Sequence, residues 1–529
     1  MVLSAPGPPA NRSANNFKPP QVSESFVANE LKKLKSNKST GLHNIPARLL
    51  KDGADALATP LAILMNRSIN EGSIPASWKH AIVTPVFKSG SKSDTSNYRP
   101  ISVLPVFAKI LEKAVHKMVY NFLLQHKLLS SYQSGFRPLH STATSLIDIT
   151  NTILHNIDKG KLTGLAFLDL SKAFYTLDHD LLLMKLADFG LSKSSVNWFN
   201  AYLTNRTQSV IINGMQSDAE PILYGVPQGS VLGPLLFIMY INDLPSVTKY
   251  CKVHLYADDT LLFFESSSVQ AIEAALSQDL DHVVGWLNQN YLMLNHSKTK
   301  VMLLGTHQKL SSVQSFAVSV NDTDLERVYK FKYLGVFLDP CLNWNEHIDH
   351  IGNKISSRLG MLRRARKVIP KEACITLFNA MVLPLFDYCC VVWDGCGQGN
   401  KIYLDRLLKR AAGIIAGRKA TDTDIQQTLK WPSLQCRREY QKCIQVYKCI
   451  NGLAPAYLLD DFHSSEQIHN YNTRNKDLIR LPLAKTTKFQ TSFKYNAAKS
   501  WNTLPRNLRH DQSLTSFKLR VKKHLNHLS

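Results

Sequence analysis

Two adjacent acids, Asp258 and Asp259, interrupt a pair of apolar runs and constrain this chain more than any other feature. Val253-His254-Leu255-Tyr256 leads into them through Ala257, and Thr260-Leu261-Leu262-Phe263-Phe264 follows. Aromatic and β-branched runs around a short polar step predict a β-hairpin with the acids at its turn. Asp favours turns by bonding to nearby backbone, so an Asp-Asp turn alone reads as a solvated turn. Two carboxylates held at one tip also repel each other. A hard divalent cation relieves that repulsion, and beside phosphates the usual ion is Mg²⁺. The rest of the chain decides between these readings.

A chain of 529 residues exceeds one ordinary core and predicts two to four lobes. Its 63 Lys and Arg oppose 40 Asp and Glu, a net charge of +23. Solubility needs far less, so a polyanionic partner is expected, most simply nucleic acid. The 9 cysteines form no Cys-x-x-Cys pair, which excludes a zinc knuckle and suits a reducing compartment. Cys436, Cys443 and Cys449 recur at near-helical intervals and predict one buried helix face. Residues 1–20 carry no apolar leader. The most apolar stretch, 374–393, contains Asn379, Pro384 and Asp387, and so reads as buried helices. A nuclear or cytoplasmic protein with no membrane partner, not a secreted one, is the expectation.

Periodicity predicts helices at 60–69, 107–127, 141–156, 181–189, 194–203, 234–241 and 268–288, with strands at 81–87, 165–169, 209–213, 220–224, 300–304 and 332–338. Helices then dominate, at 344–366, 371–383 and 402–416. Residues 88–93, Lys-Ser-Gly-Ser-Lys-Ser, read as a basic, mobile loop. The segment 471–529 holds 13 Lys or Arg against Asp477 and Asp511, a net of +11. Its Phe489, Phe493, Tyr495, Trp501 and Phe517 suit either stacking on single strands or a packed subdomain with a basic exterior; the second is favoured. Helices around few strands predict an α+β fold. The expected divisions are a disordered 1–24, a helical 25–75, a mixed 76–340, a helical 341–420 and a basic 421–529.

Nucleotidyl transfer uses two divalent ions about 4 Å apart, and their carboxylates come from separate parts of a chain. Asp169 offers the separate source, ending the apolar run Phe167-Leu168 some ninety residues before Asp258. Phe167-Leu168-Asp169-Leu170-Ser171-Lys172-Ala173-Phe174, then Gly225-Val226-Pro227-Gln228-Gly229-Ser230, then Tyr256-Ala257-Asp258-Asp259 resemble, in order, the reverse transcriptases of non-LTR (LINE-type, jockey- or CR1-like) retrotransposons. Asn97-Tyr98-Arg99-Pro100, Gln133-Ser134-Gly135-Phe136-Arg137, Asn295-His296-Ser297-Lys298 and Tyr333-Leu334-Gly335 match further blocks.

That resemblance implies a right-hand polymerase with fingers, an antiparallel palm sheet, a thumb and a helical, basic C-terminal region. It implies an RNA template, a DNA primer and dNTP substrates. Asp169, Asp258 and Asp259 would hold two Mg²⁺ ions, with Mn²⁺ the alternative. Lys88 and Arg99 would grip the triphosphate. Phe174 would exclude a ribose 2′-hydroxyl, and Gln228 and Gly229 would line the nucleotide. Lys298 would serve as a proton donor to pyrophosphate. Tyr256 and the Tyr333-Leu334-Gly335 hairpin would meet the primer, and Arg363, Arg364, Arg366 and Lys367 the nucleic-acid backbone. Glu346-His347-Ile348-Asp349-His350 lacks zincin spacing and reads as a polar helix face.

Two positions depart from the family. Tyr175 stands where an Asp is usual, and His43 replaces another acid. The endonuclease segment of the family is not seen, so a truncated element product is the expectation. These departures motivate a second reading, a decayed or co-opted protein that binds nucleic acid without catalysis.

Overall fold

In a computed structural model the described residues are 16–36, 45–417, 421, 429, 431–463 and 477–528. His43 lies outside them. Of the stretch 1–24 expected to be disordered, residues 16–24 are described. Phe17 donates its backbone N–H to the Gly190 carbonyl at 2.8 Å and accepts from Ser192 at 2.9 Å.

Fourteen strands are present among the described residues. A first sheet is built from β1 (His80–Phe87), β2 (Tyr98–Val103), β4 (Arg206–Ile212), β5 (Met215–Gln216) and β6 (Glu220–Ile222), in the order β2-β1-β4-β5 with β6 also on β4. A second has the order β12-β9-β3-β8-β7, from β3 (Leu162–Leu168), β7 (Lys252–Tyr256), β8 (Asp259–Ser266), β9 (Lys300–Leu304) and β12 (Glu326–Arg327). Short hairpins pair β10 (Ser319–Val320) with β11 (Thr323–Asp324), and β13 (Phe331–Tyr333) with β14 (Val336–Leu338).

The fold is α+β with mixed sheets. Four strands of the second sheet pair antiparallel, but β12 joins β9 in parallel. The reason is the intervening path: a short helix, His307–Ser311, and the β10–β11 hairpin carry the chain back to its starting end before β12. β1 and β4 are likewise parallel, across a long connection.

β3 is central and every one of its residues is buried. Alternate residues face opposite ways, as a strand requires. Leu162, Ala166 and Leu168 join one core with Ile272 and Leu276 of the helix Val269–Gln289. Leu165 and Phe167 join the other with Ile147 and Leu154 of the helix Thr142–Asp158. Each such Leu or Phe contributes about 1.5–3 kcal/mol by leaving water. A strand sandwiched this way has a fixed register, and that register sets where its C-terminal end emerges.

The chain beyond 340 is helical. Asn345–Ala365 packs on Gln398–Ala416, and Leu434–Ile450 on Phe493–Asn502 and Leu514–Leu528. Cys443 and Cys449 are buried on Leu434–Ile450, with Cys436 half-buried, which matches the expected helix face. Phe489, Phe493, Trp501 and Phe517 are interior, so the packed-subdomain reading of this segment holds. Residues 485 and 486 tie it to the helix Thr142–Asp158. Asp158 accepts bonds from the N–H groups of Lys485 and Thr486 and from the Thr486 hydroxyl, at 2.7–3.1 Å. No helix among the described residues is long and apolar enough to cross a membrane.

Candidate active site

β7 and β8 form a hairpin in which Tyr256 pairs with Asp259, leaving Ala257 and Asp258 as a two-residue turn. Ala257 takes a left-handed φ of +57°, costly for a residue with a Cβ. A clamp holds it there. The Gln133 side-chain oxygen accepts from Ala257 N at 3.0 Å and from Gly135 N at 2.7 Å. On the same side Ser134 N donates to the Leu255 carbonyl at 2.8 Å, and Leu255 N donates to the Tyr132 carbonyl at 2.9 Å. Gly135 is required, since a Cβ there would lie 2.2 Å from Ala257 N. Gln133 thus acts on the acids through backbone. The Gln133-Ser134-Gly135 block was legible in the sequence, but its task was not.

The third acid arrives by register. The last β3–β8 pair is Leu168 opposite Thr260, so the next step sets Asp169 opposite Asp259. A loop from residue 293 holds Asp169 in place: Asn295 N donates to its carbonyl at 2.8 Å, and Leu170 bridges Leu294. The same loop brings Lys298 Nζ to 3.9 Å from Asp169 Oδ2.

Asp258 and Asp259 are exposed at the turn, and the neighbouring walls displace only part of their hydration. That desolvation pushes both carboxyls up, and the Asp169 charge pushes them further. With Asp258 added, Asp259 reaches about 6. Two cations act in the opposite sense. Lys88 lowers both acids and Arg99 lowers Asp258. They come from the facing ends of β1 and β2, where Phe87 pairs with Tyr98 and Val86 with Arg99. The loop between them, expected to be mobile, is closed by Asn97 Nδ2 on the Ser91 carbonyl (3.0 Å) and by the Tyr98 hydroxyl on the Lys92 carbonyl (2.9 Å).

Three carboxylates on two strand ends, mutually repelling and facing cations, are a hard-oxygen donor set that suits Mg²⁺ by chemistry. Among the described residues no three His, Cys, Asp or Glu side chains are gathered into a ready cage.

Phe174 sits on the 3₁₀ turn Ala173–Tyr175. Its ring stacks on Phe237 at 4.4 Å and meets Phe136 edge-on at 6.2 Å. The loop with Gln228 and Gly229 lies against β2: Ser102 N donates to the Gln228 carbonyl at 2.7 Å. Gly229 has φ +119°, and a Cβ there would lie 2.6 Å from the Ser102 carbonyl.

Several expected contact residues are placed elsewhere. Tyr333 is buried with its hydroxyl unpartnered, and Leu334 is buried beside it, so these side chains belong to the core. The Tyr388 hydroxyl donates to the Leu334 carbonyl at 2.9 Å, and its ring lies where a Cβ on Gly335 would fall, while Gly335 itself stays exposed. Tyr256 is half-buried against the same core. Arg363, Arg364 and Lys367 are exposed. Arg366 is half-buried, and its Nε donates to the Ile415 carbonyl at 3.1 Å, capping a neighbouring helix. The expected polar helix face at 346–350 holds only in part, because His347 is buried against Trp393.

Residues 88–338 match the family profile described as reverse transcriptase (RNA-dependent DNA polymerase). Over 426 residues the chain is 29% identical to the RNA-directed DNA polymerase from mobile element jockey of Drosophila melanogaster, a span covering 77% of this chain and 45% of that protein. It is 27% identical over 412 residues to the probable RNA-directed DNA polymerase from transposon BS of the same fly, covering 75% and 44%. The jockey protein of Drosophila funebris is 28% identical over 421 residues, covering 76% and 45%. The chain thus spans a little under half the length of these curated relatives. Residues 88–338 are a reverse transcriptase domain, in a chain similar over three quarters of its length to the polymerases of jockey-type non-LTR mobile elements.

Proposed function

We propose that this chain is an RNA-directed DNA polymerase that extends a DNA primer on an RNA template with dNTPs. The observation that carries this reading is the cross-strand opposition of Asp169 and Asp259, beside Asp258 and under the facing charges of Lys88 and Arg99. In this reading the β3-centred sheet is the palm, the β1–β2 hairpin belongs to the fingers and the helices from Asn345 form the thumb. Nuclear or cytoplasmic nucleic acid supplies the template and primer.

Asp169, Asp258 and Asp259 would hold Mg²⁺, with Mn²⁺ the alternative, and the bound metal supplies charge neutralisation for the attacking hydroxyl and the leaving pyrophosphate. The remaining work falls to the chain. Lys88 and Arg99 attract the triphosphate, Lys as a point charge and Arg as a fork. Phe174, braced by Phe237, presents a flat wall where a ribose 2′-hydroxyl would fall. Gly229 lets backbone approach the nucleotide with no Cβ between. Lys298, 3.9 Å from Asp169, would give a proton to the leaving group. Arg363, Arg364 and Lys367 form an exposed cationic patch for phosphates.

The test is primer extension on RNA with a metal titration. Wild type extends only with divalent ion, and Asp258→Asn removes extension while leaving primer–template binding intact. Extension that survives Asp258→Asn rejects the assignment. Binding without any extension by wild type would favour the non-catalytic reading.

A further inference from the structure

Three segments distant in sequence meet at Tyr175. Its hydroxyl donates to Gln228 Oε1 and lies 3.4 Å from the Pro100 carbonyl oxygen. The Gln228 loop is bonded in turn to the Tyr175 segment, through Val226 N to the Phe174 carbonyl at 2.9 Å and Gly225 N to the Leu177 carbonyl at 2.8 Å. There is no slack in this packing. A Cβ on Gly225, at φ +76°, would lie 2.6 Å from the Phe174 carbonyl oxygen and from Tyr175 Cα. Arg99 is near enough to act on the phenol electrostatically. Burial pushes the Tyr175 hydroxyl up to about 12, so it is a neutral donor at any physiological pH.

A primary amide has one accepting oxygen and two N–H donors on its nitrogen. Once Tyr175 occupies the oxygen, the rotation of the Gln228 amide is set and its nitrogen faces away from the phenol. Among the described residues no hydrogen bond uses that nitrogen. We propose that Tyr175 is a positioning residue for the incoming nucleotide: it fixes the Gln228 amide so that its N–H donors meet an acceptor on the substrate, and it fastens that loop to the strand bearing Arg99. The inference rests on the polymerase reading above. Tyr175 touches no reacting atom and acts through Gln228 and Pro100. Without its hydroxyl the amide rotates freely and must be ordered on binding, which weakens substrate and transition state alike. The signature is a raised KM with kcat preserved.

The experiment is steady-state incorporation of one dNTP by wild type, Tyr175→Phe, Gln228→Ala and the double variant. Tyr175→Phe should raise the dNTP KM about three- to tenfold, the value of one neutral hydrogen bond, with kcat and primer–template Kd essentially unchanged. In the Gln228→Ala background the second substitution should add nothing. A Tyr175→Phe protein with wild-type KM, or effects that multiply in the double variant, overturns the inference while wild-type extension leaves the polymerase reading standing. Absence of wild-type extension overturns both. Should Tyr175→Phe fold poorly, 3,5-difluorotyrosine placed at 175 keeps the shape and ionises at lower pH. Its KM should then climb with pH where the wild-type KM is flat, and parallel profiles overturn the inference.

Discussion

Lys298 Nζ stands 3.9 Å from Asp169 Oδ2, with the two side chains 62% and 43% exposed. A pair this open to water contributes little to stability, within about 1 kcal/mol. Its value is positional, because it keeps an ammonium beside the acid cluster. Lys298→Ala should therefore leave the melting temperature unchanged and lower the extension rate roughly 10²-fold, the scale of a lost general acid. Lys298→Arg should recover part of the rate. A variant with wild-type rate removes Lys298 from the chemistry.

Asp259 sets a pH window. Its folded carboxyl, at about 6, holds a proton more tightly than in the unfolded chain, where the ordinary value is 3.8. Folding is therefore favoured while the proton is on, and that advantage is lost as pH rises from about 4 to about 6. Asp259→Asn should gain stability relative to wild type across that interval, by no more than about 1 kcal/mol because the group touches solvent. Metal affinity should move the other way. Mn²⁺ binding, read from its free EPR signal, should strengthen as pH rises through about 6 and weaken in Asp259→Asn.

Tyr333 buries a hydroxyl that no partner satisfies. An unmet polar group costs about 1–3 kcal/mol. Tyr333→Phe should thus be neutral or stabilising in a urea melt, and primer affinity should be unchanged. A clear loss of primer affinity in this variant would return Tyr333 to the nucleic-acid surface.

Phe174 is held by Phe237 and Phe136 rather than by the core alone. Phe174→Val removes the wall but leaves the Ala173–Tyr175 turn. The ratio of dNTP to rNTP efficiency should fall by about tenfold or more, since a missing steric contact is worth a few kcal/mol of discrimination. An unchanged ratio would make Phe174 an ordinary packing residue.

The parts of this molecule readable from sequence are those written in local period. The strand expected at 300–304 and the helix expected at 268–288 fall within a residue of β9 and Val269–Gln289. The acids were legible because they end apolar strands, and strand ends are where a buried sheet delivers side chains to solvent. Other features depend on partners far away. Gln133 reaches Ala257 across 124 residues, Tyr175 reaches Gln228 across 53, and Arg366 is drawn to a helix end 49 residues on. Nothing local marks them. Tyr333 shows the converse: its hairpin was legible, but only the second core beneath β3 turns that ring inward. The parallel β12 edge escaped for a similar reason, since its direction is set by the detour before it.

The bonds from residues 485 and 486 to Asp158 bear on how this chain can be divided. They clasp the far end of the chain onto the helix that backs the strand delivering Asp169. A fragment cut to the profile-matched span 88–338 would carry every acid of the site yet shed the cover from that helix, leaving bare the apolar residues it now shields. On the proposed reading, the smallest piece able to perform chemistry is larger than the smallest piece that can be identified.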